Sequence, residues 1–492
     1  MPLKIAFIQF VYYEYLGVMY LSSCLKKNGH KVEVFICQGW RDTEAFVDEI
    51  AEYRPDIAGF SIMTGSEDAA LEVARRIKAR MQVYCIFGGP HPTFVPDIIT
   101  NECVDCVCIG EAEHSLVSIA ERLAAGESPE KTAGAWFKGD GKIIRNDIAE
   151  LVNDLDSLPR PDRSLYRDKY KSMRSRRAGF ILGRGCPFHC SFCANMALEK
   201  LYRGKGNYVR QRSVSEVIGE MKDVKKDYNI KTVYIRDDTF IINKDWVLEF
   251  CEAYRREIGL PFACHIRAES ASEEVISALS SANCRTVSFG VETGSPDTRS
   301  LLLKKGVTDE QIIECARLLK KYGIRFRTFN MLGLPGETID DAFGTVDINV
   351  RIGTDYPWCA LFQPMPATEL WEYCKTNNMF EAGSGSVQPS SFHDSPLALR
   401  NKNEIVNLQK LFFYAVRFPA LRRPIRALVR IRPNLFYNLL FMFAHAWIYY
   451  NNDLVSFRDL LNVGFRNISR YLSPAGAGEG SRQGAAMRKY AP

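Results

Sequence analysis

Short apolar segments alternate with amphipathic ones along most of this chain, and this alternation constrains its fold more than any other feature. Over residues 3–125 the apolar segments 4–10, 31–36, 57–63, 83–88 and 106–109 have the pattern of strands, and the intervening segments 17–28, 43–52, 67–80 and 114–124 that of helices. Strands that alternate with helices form a parallel sheet covered on both faces. We therefore predict a doubly wound, Rossmann-like domain over residues 1–130.

A second β/α series follows an irregular segment. Residues 126–175 lack a regular pattern and include the proline-containing run 158–163, so we predict a linker over 131–175. Strand-like segments then recur at 178–183, 232–236, 262–266, 286–291, 325–332 and 358–363, with helix-like segments at 214–228, 246–258, 273–282, 309–322 and 340–352. Six successive units favour a partial (β/α)6 TIM-type barrel over 176–380, with its chemistry at the carboxyl ends of the strands.

The C-terminal part of the chain has a different character. We predict an α-helical region over 381–472, opening with a Gly/Ser-rich linker at 383–391, and a disordered tail over 473–492. Arg422, Arg426 and Arg430 recur at helical spacing, and 435–450 is nearly apolar but shorter than the ~20 residues that span a bilayer. Two interpretations stay open: an amphipathic surface that contacts a membrane, or a helical cap with a solvated basic face. Either would suit an apolar substrate.

Composition narrows the class of protein. The 64 Lys and Arg residues against 58 Asp and Glu give a net charge of +6 over 492 residues, too weak a bias to indicate a nucleic-acid partner. Fifteen cysteines, most of them single in apolar surroundings, fit a reducing compartment. No cleavage-site pattern follows the apolar start at residues 5–8. We expect a cytoplasmic protein, with peripheral membrane contact through the C-terminal helices as the open alternative.

Three cysteines stand in one short loop directly after the first strand of the second series. Cys186, Cys190 and Cys193 have CxxxCxxC spacing. Iron–sulfur clusters normally take four protein thiolates, so three thiolates in one loop would leave one iron open for another ligand. The alternatives are chance clustering and a zinc site, which needs four ligands and which His189 is too close in sequence to complete easily. The aromatic ring of Phe192 would shield a cluster from water.

This cysteine motif, with an aromatic residue before its last cysteine and at the start of a β/α barrel, resembles that of the radical S-adenosylmethionine (SAM) superfamily. The resemblance implies a [4Fe–4S] cluster on Cys186, Cys190 and Cys193, whose open iron chelates the amino and carboxylate groups of SAM. Electron transfer from the cluster then cleaves SAM, and the 5′-deoxyadenosyl radical takes a hydrogen atom from the substrate. A flavodoxin- or ferredoxin-type reductant is the expected partner.

Polar or glycine-rich segments follow the predicted barrel strands, as a ligand site at their carboxyl ends requires. By the same resemblance, the segment after the second strand contacts the methionyl amine, Arg267 and Glu292 lie near the methionyl and ribose groups, and a glycine turn approaches the adenine. For Asp238 a helix N-cap is the competing interpretation. The residues predicted to bind SAM are Phe192, Asp237, Asp238, Arg267, Glu292, Gly333, Leu334, Pro335 and Gly336.

The N-terminal domain resembles the cobalamin-binding (B12-binding) domain, whose motif is DxHxxG, then SxL, then GG at long spacings. Tyr12 and Glu14 stand where the family has Asp and His, so a bound cobalamin would have no protein histidine as its lower axial ligand. The alternative is a flavodoxin-like domain that binds nothing. The residues predicted to bind cobalamin are Tyr12, Glu14, Gly17, Ser61, Met63, Thr64, Gly88, Gly89, His91, Gly110 and Glu111.

The two resemblances together imply a cobalamin-dependent radical SAM enzyme, with methylation of an unactivated carbon as the leading expectation. Cobalamin would carry a methyl group from one SAM, and a second SAM would supply the radical. Three alternatives remain: radical cyclisation or oxidation on the same architecture, a non-catalytic corrinoid sensor, and a tRNA methylthiotransferase. The tRNA enzymes usually carry a second cluster, for which Cys103, Cys106 and Cys108 are too tightly spaced.

Overall fold

The computed structural model describes residues 1–37, 43–139, 141–170, 176–381 and 391–452. Most of the predicted linker at 383–391, the predicted helical region beyond 452 and the predicted tail at 473–492 lie outside these ranges. The chain divides into two compact units. The first comprises Met1–Arg285, Leu302–Lys305 and Pro364–Asn378, and the second Thr286–Leu301, Gly306–Gln363 and Met379–Pro492.

The N-terminal domain, in the first unit, is the doubly wound sheet that the sequence predicts. Its parallel strands lie in the order β2-β1-β3-β4-β5, so the strand order reverses at β1, which pairs with both β2 and β3. Ligands of such sheets bind beyond the strand carboxyl ends near that reversal. The elements are β1 (Lys4–Gln9), α1 (Leu16–Lys27), β2 (Lys31–Ile36), α2 (Thr43–Tyr53), β3 (Ile57–Ser61), α3 (Glu67–Arg80), β4 (Tyr84–Gly88), α4 (Pro90–Phe94), β5 (Cys106–Cys108) and α5 (Glu113–Ala125).

A hairpin extends this sheet, and the prediction of an irregular segment over 126–175 is wrong for it. Strand β6 (Ala135–Gly139) pairs antiparallel with β5, and β7 (Lys142–Arg145) pairs with β6. Both strands are short, and only β6 buries side chains completely, so the segment carries little hydrophobic pattern. A short helix, α6 (Ser164–Arg167), follows within the predicted linker, and its Tyr166 hydroxyl donates to Gln9 Oε1 at 2.5 Å.

The first unit also holds the start of the second β/α series. Strand β11 pairs in parallel with β8 and β12. The strand predicted over 178–183 ends at Phe180, and Gly183 and Arg184 form instead an antiparallel pair with Arg210 and Gln211. The elements are β8 (Arg177–Phe180), β9 (Gly183–Arg184), α7 (Ala194–Leu201), β10 (Arg210–Gln211), α8 (Val214–Tyr228), β11 (Thr232–Ile235), α9 (Lys244–Glu257), β12 (Phe262–His265), α10 (Glu273–Ser281) and the start of β13 (Cys284–Glu292).

The second unit continues the series with parallel strands and adds the C-terminal helices. Strand β14 pairs with β13 and β15, and the register shifts between Gly290 and Glu292. Capping boxes at Thr308 and Thr338 fix the starts of α11 and α12. The elements are α11 (Asp309–Lys321), β14 (Arg325–Leu332), α12 (Ile339–Ile352), β15 (Tyr356–Leu361), α14 (Lys402–Arg417), α15 (Arg422–Leu428) and α16 (Leu435–Asn452), while α13 (Glu369–Thr376) belongs to the first unit.

The C-terminal helices pack through a buried apolar face on α12, β14 and β15 of the same unit. Arg422 pairs with Asp347 and Arg426 with Asp340, both on α12. Both arginine side chains keep about two-fifths of their surface exposed, and Arg430 is exposed as well, so the two interpretations of this basic face stay predictions. Over the described ranges, no helix combines the length and the apolar character needed to cross a bilayer.

Candidate functional site

The cysteine loop begins at a position that only glycine can occupy. Gly185 has a φ of +83°, and a Cβ there would lie 2.2 Å from the carbonyl oxygen of Tyr208. The chain can therefore turn from β9 into Cys186 only because residue 185 has no side chain. The backbone therefore requires glycine at the position directly before Cys186.

Distant segments of the first unit fix the middle of the loop. Ser191 is buried, its amide and hydroxyl donate to the carbonyls of Leu303 and Leu302 at 3.0 and 2.6 Å, and its carbonyl accepts from the amide of Leu370 at 2.9 Å. The amide of Cys193 donates to the carbonyl of Cys190 at 3.0 Å. The cysteine loop is thus held at its centre and not only at its two ends.

The three thiols lie near one another, since the charge of Cys193 acts on Cys186 and that of Cys190 acts on Cys193. Among the described residues, no three Cys, His, Asp or Glu side chains are placed to hold one ion. A cubane presents three separate irons to its ligands, whereas a tetrahedral zinc draws its ligands around one point, and His189 instead pairs with Glu199 at 2.7 Å on the surface. Burial raises the pKa of Cys186 to about 11, and the charge of Asp238 adds to it. Bound iron would supply the positive charge that turns such a thiol into a thiolate.

A polar network surrounds Cys193. The Tyr208 hydroxyl donates to Asn195 Oδ1 at 2.7 Å, and Asn195 Nδ2 lies 3.8 Å from Cys193 Sγ. Asn195 also hydrogen-bonds the carboxylate of Asp238. Asp238 is exposed and lies beside the cysteines, so the structure brings this predicted SAM ligand to the cysteine loop.

Arg267, another predicted SAM ligand, also lies at the cysteine loop. Its Nη1 donates to Cys190 Sγ at 3.2 Å, and its guanidinium carbon lies 3.8 Å from the ring centroid of Phe188. Its Nε donates to Glu269, the residue two positions further on. The sequence predicts only a SAM contact for Arg267 and gives no indication of its hydrogen bond to Cys190.

The other predicted SAM ligands divide between the units. Asp237 is buried and accepts the amide of Leu182 at 2.8 Å, and burial raises its pKa to about 7, so it braces the start of the cysteine-loop strand. Phe192 is half-buried within the loop itself. In the second unit, Glu292 is buried with a φ of +65°, and the turn Gly333-Leu334-Pro335-Gly336 has both glycines at positive φ. The role of these residues toward SAM stays a prediction.

Six of the predicted cobalamin ligands meet at the carboxyl ends of β3 and β4. Ser61 pairs with Gly88 in register, and Gly89 has a φ of +94° with its Cα so close to Ile62 that a Cβ would lie 3.0 Å from the Ile62 amide. His91 Nδ1 lies 3.3 Å from Thr64 Oγ1, and burial lowers the pKa of His91. The members of this cluster are Ser61, Met63, Thr64, Gly88, Gly89 and His91.

The same edge of the sheet also exposes apolar side chains. Val11 and Tyr13 follow β1, Met63 follows β3, and each keeps more than two-fifths of its side chain exposed. Gly17, at the start of α1, has no atom within 4 Å of where a Cβ would stand. Large exposed apolar side chains that gather at a ligand-binding edge mark a binding surface. Val11 and Tyr13 are site candidates that the sequence prediction missed.

Four predicted cobalamin ligands contact other parts of the first unit. Tyr12 packs edge-on against Tyr170 at 5.9 Å, and Glu14 pairs with the buried Arg167 at 3.1 Å. Gly110 has a φ of +74° and lies so close to Tyr202 that a Cβ would be 1.9 Å from the Tyr202 hydroxyl. The fourth, Glu111, forms ion pairs that take up its carboxylate.

Glu111 joins the N-terminal domain to the strands of the cysteine loop. Its two oxygens accept from Arg210 at 2.6 and 3.1 Å, and Arg184 lies 3.2 Å from it. Arg184 also donates to Glu113 at 2.6 Å. Burial opposes ionisation of Glu111, but the hydrogen bonds and charges of these arginines outweigh it and lower its pKa. No sequence pattern links residues this far apart along the chain, so the prediction missed both arginines.

These features define a class: a two-part α/β protein with a three-thiol loop for a cluster beside a doubly wound domain with an apolar ligand edge. Two protein-family models match the chain, the Radical SAM superfamily over residues 180–347 and the B12 binding domain over residues 11–120. Both match the parts of the chain in which these two features lie.

Relatives and solved structures agree with this class. An uncharacterized methyltransferase of Pyrococcus horikoshii is 30% identical over 373 residues, which are 74% of this chain and 79% of that protein. The cytidylyl-2-hydroxyethylphosphonate methyltransferase of Streptomyces wedmorensis is 23% identical, with 73% and 77% of the two chains covered. The structure of the cobalamin-dependent SAM radical enzyme OxsB, with aqua-cobalamin and SAM bound, matches at a TM-score of 0.68 and 16% identity and covers 98% of this chain and 78% of that chain.

The chain therefore belongs to the radical SAM superfamily and, within it, to the family of cobalamin-dependent radical SAM methyltransferases. The cofactors of this family are a [4Fe–4S] cluster, SAM and cobalamin, as the sequence predicts. Radical SAM enzymes need an external reductant and a small-molecule substrate. The predicted fold class and enzyme class are confirmed.

Proposed function

We propose that this protein methylates an unactivated carbon of a small molecule, using cobalamin, SAM and a [4Fe–4S] cluster. The observation that carries the proposal lies inside one compact unit: Arg184, two residues before Cys186, is ion-paired with Glu111 and Glu113 of the B12-binding domain. This links the cysteine loop directly to the domain whose apolar edge suits a corrin. The methyltransferase names of the two relatives support the same outcome.

The residues of this chain would divide the work between three bound groups. Cys186, Cys190 and Cys193 would hold the cluster, which supplies one electron to SAM. Asp238, exposed beside the loop, would accept hydrogen bonds from the SAM ammonium group. Phe192 would keep water from the cluster. On the resemblance, Glu292 and the turn at 333–336 would hold the rest of SAM.

The carboxyl edge of the N-terminal domain would hold the corrin that supplies the methyl group. Val11, Tyr13 and Met63 would lie against its apolar face, and Gly89 lets the turn after β4 pack closely against Ile62. Glu14 pairs with Arg167, so its carboxylate is already engaged within the protein. Because Tyr12 and Glu14 stand where the family motif has Asp and His, we expect that no histidine of that motif would hold the cobalamin.

The test uses the full-length chain, reconstituted anaerobically with iron, sulfide and cobalamin, and supplied with SAM and dithionite. We expect 5′-deoxyadenosine from radical cleavage and S-adenosylhomocysteine from methyl transfer, the latter only when cobalamin is present. A Cys190→Ala variant should give no 5′-deoxyadenosine. S-adenosylhomocysteine formed equally without cobalamin would contradict the proposal.

The same products separate the alternatives. Radical cyclisation or oxidation would give 5′-deoxyadenosine without S-adenosylhomocysteine. A corrinoid sensor would bind cobalamin and give neither product. For the reductant, we propose a flavodoxin or ferredoxin; either protein, enzymatically reduced, should replace dithionite in the assay, and failure of both would refute this part.

We also propose that the C-terminal helices contact an anionic membrane surface. Phe436, Phe443, Trp447 and Tyr450 form an exposed stripe on α16 at helical spacing, opposite its buried face. The sequence has no Asp or Glu between residues 405 and 452. A helix that is apolar on both faces exposes hydrophobic surface that another protein or a membrane would have to cover.

Charge favours anionic lipid as that cover. Arg423, Arg430 and Arg432 are exposed in the segment that precedes α16, and each basic residue near an anionic membrane contributes ~1 kcal/mol. Co-flotation with phosphatidylglycerol-containing vesicles should exceed that with phosphatidylcholine alone, and a Phe436→Ser/Phe443→Ser variant should lose it. Leu301→Ser, which changes an exposed leucine elsewhere in the same unit, is the matched control. Equal flotation of all three proteins would refute membrane contact.

A further inference from the structure

We infer that Arg267 sets the reduction potential of the cluster by donating a hydrogen bond to the sulfur of Cys190. The inference rests on cluster binding by the cysteine loop, which is part of the proposed function, but not on methyl transfer or on cobalamin. It assigns Arg267 a role beyond the SAM contact that the sequence predicts.

The position of the guanidinium is fixed from three directions. Nη1 lies 3.2 Å from Cys190 Sγ, the guanidinium carbon stacks 3.8 Å from the centroid of Phe188, and Nε bonds Glu269. The Arg267 side chain is 11% exposed, and Cys190 is buried. Because three contacts hold the planar group, its hydrogen bond to the sulfur does not depend on a mobile side chain.

The effect on the cluster follows from charge. Reduction adds one negative charge, and a hydrogen bond to a ligand sulfur together with a nearby positive charge favours the more negative state. Burial strengthens the effect, because little water lies near to screen it. Arg267 therefore raises the potential, which makes the cluster easier to reduce.

Glu269 opposes this effect of Arg267 on the potential, and removal of its charge therefore serves as a control. Its carboxylate lies against Arg267 and is 19% exposed, so it offsets part of the positive charge beside Cys190. Removing the arginine charge and removing the carboxylate charge should shift the potential in opposite directions. Loss of packing alone would not produce opposite signs.

The experiment is an anaerobic redox titration of the cluster-loaded full-length chain, followed by electron paramagnetic resonance of the reduced cluster, without substrate or cobalamin. Arg267→Met should lower the midpoint potential, Glu269→Gln should raise it, and Arg267→Lys should lower it less than Met does. Arg256→Met, at a side chain that is 65% exposed, should leave it unchanged. Iron and sulfide contents are measured on every variant.

Potentials that do not move, or that move in the same direction in Arg267→Met and Glu269→Gln, would overturn the inference. If the methionine variant holds no cluster, the opposite signs of Arg267→Lys and Glu269→Gln decide in its place. A wild-type chain that binds no cluster would instead refute the proposed function. A chain whose potentials behave as expected but which forms no S-adenosylhomocysteine would refute methyl transfer and leave this inference standing.

Discussion

Glu111 should stabilise the folded chain far more than a surface glutamate with the same number of partners. Its carboxylate meets both guanidinium groups of Arg184 and Arg210, and the Arg210 side chain is only 3% exposed. In Glu111→Ala the buried Arg210 keeps its hydrogen bond to the carbonyl of Val152 but loses its carboxylate partner. Breaking a buried pair by removal of one partner costs ~3–5 kcal/mol, and because Glu111 is itself partly exposed we expect about 3 kcal/mol.

The matched control is Glu44, which also pairs with two arginines, Arg76 and Arg80, but is 59% exposed. Exposed pairs contribute ~0–1 kcal/mol, so Glu44→Ala should change stability little. Urea unfolding of the full chain, followed by circular dichroism, gives both differences. A cost for Glu111→Ala no larger than that for Glu44→Ala would refute the reasoning.

The pH dependence of the Glu111 contribution has a definite sign. The folded-state pKa of Glu111 is lowered, since the arginines outweigh the opposing effect of burial. A carboxylate with a lowered pKa stabilises the folded state above its unfolded pKa, ~4.3, and loses that contribution as the pH falls through the folded value. The gap between wild type and Glu111→Ala should therefore narrow on acidification.

Three further outcomes are expected. Cys190→Ala should purify without stoichiometric iron and sulfide after anaerobic reconstitution, and full cluster content in this variant would contradict the assigned ligand set. Gly110→Ala should destabilise the chain by ~1–3 kcal/mol more than Gly126→Ala, because both positions have positive φ but only at Gly110 would the Cβ collide, with the Tyr202 hydroxyl; equal denaturation midpoints would count against this contact. Burial raises the pKa of Glu337 to about 8, so the protonated form is favoured in the folded state. The stabilisation that this protonated carboxyl gives the fold is full below ~4.5 and is lost as the pH rises through about 8. Glu337→Gln should therefore lose less stability than wild type between pH 6 and 9, and parallel plots of stability against pH for the two proteins would contradict this.

Much of the fold could be predicted because the β/α series repeats one hydrophobic pattern. The predicted strands at 31–36 and 325–332 and the helices at 67–80 and 214–228 have the observed bounds. The cysteine loop was equally visible, since its three ligands are close together in the sequence. Such signals are local, and the sequence shows them directly.

The missed features depend on contacts between distant residues. The hairpin at 135–145 has strands of five and four residues, too short for a clear period. In the sequence, Glu111 has the pattern of a loop carboxylate that is available to a ligand. In the structure, Arg184 and Arg210 pair with that carboxylate. The side chain of Arg267 reaches Cys190 across 77 positions of sequence. A single sequence gives no signal for partners at such distances.

The anchoring of Ser191 has a consequence for the order in which the protein is made. The centre of the cysteine loop is tied to the carbonyls of Leu302 and Leu303 and to the amide of Leu370, all of which the ribosome produces much later. While those segments are still unsynthesised, the loop has no partners at its midpoint. The cell's assembly machinery should therefore deliver iron and sulfide only after the ribosome has synthesised and released the chain beyond Leu370.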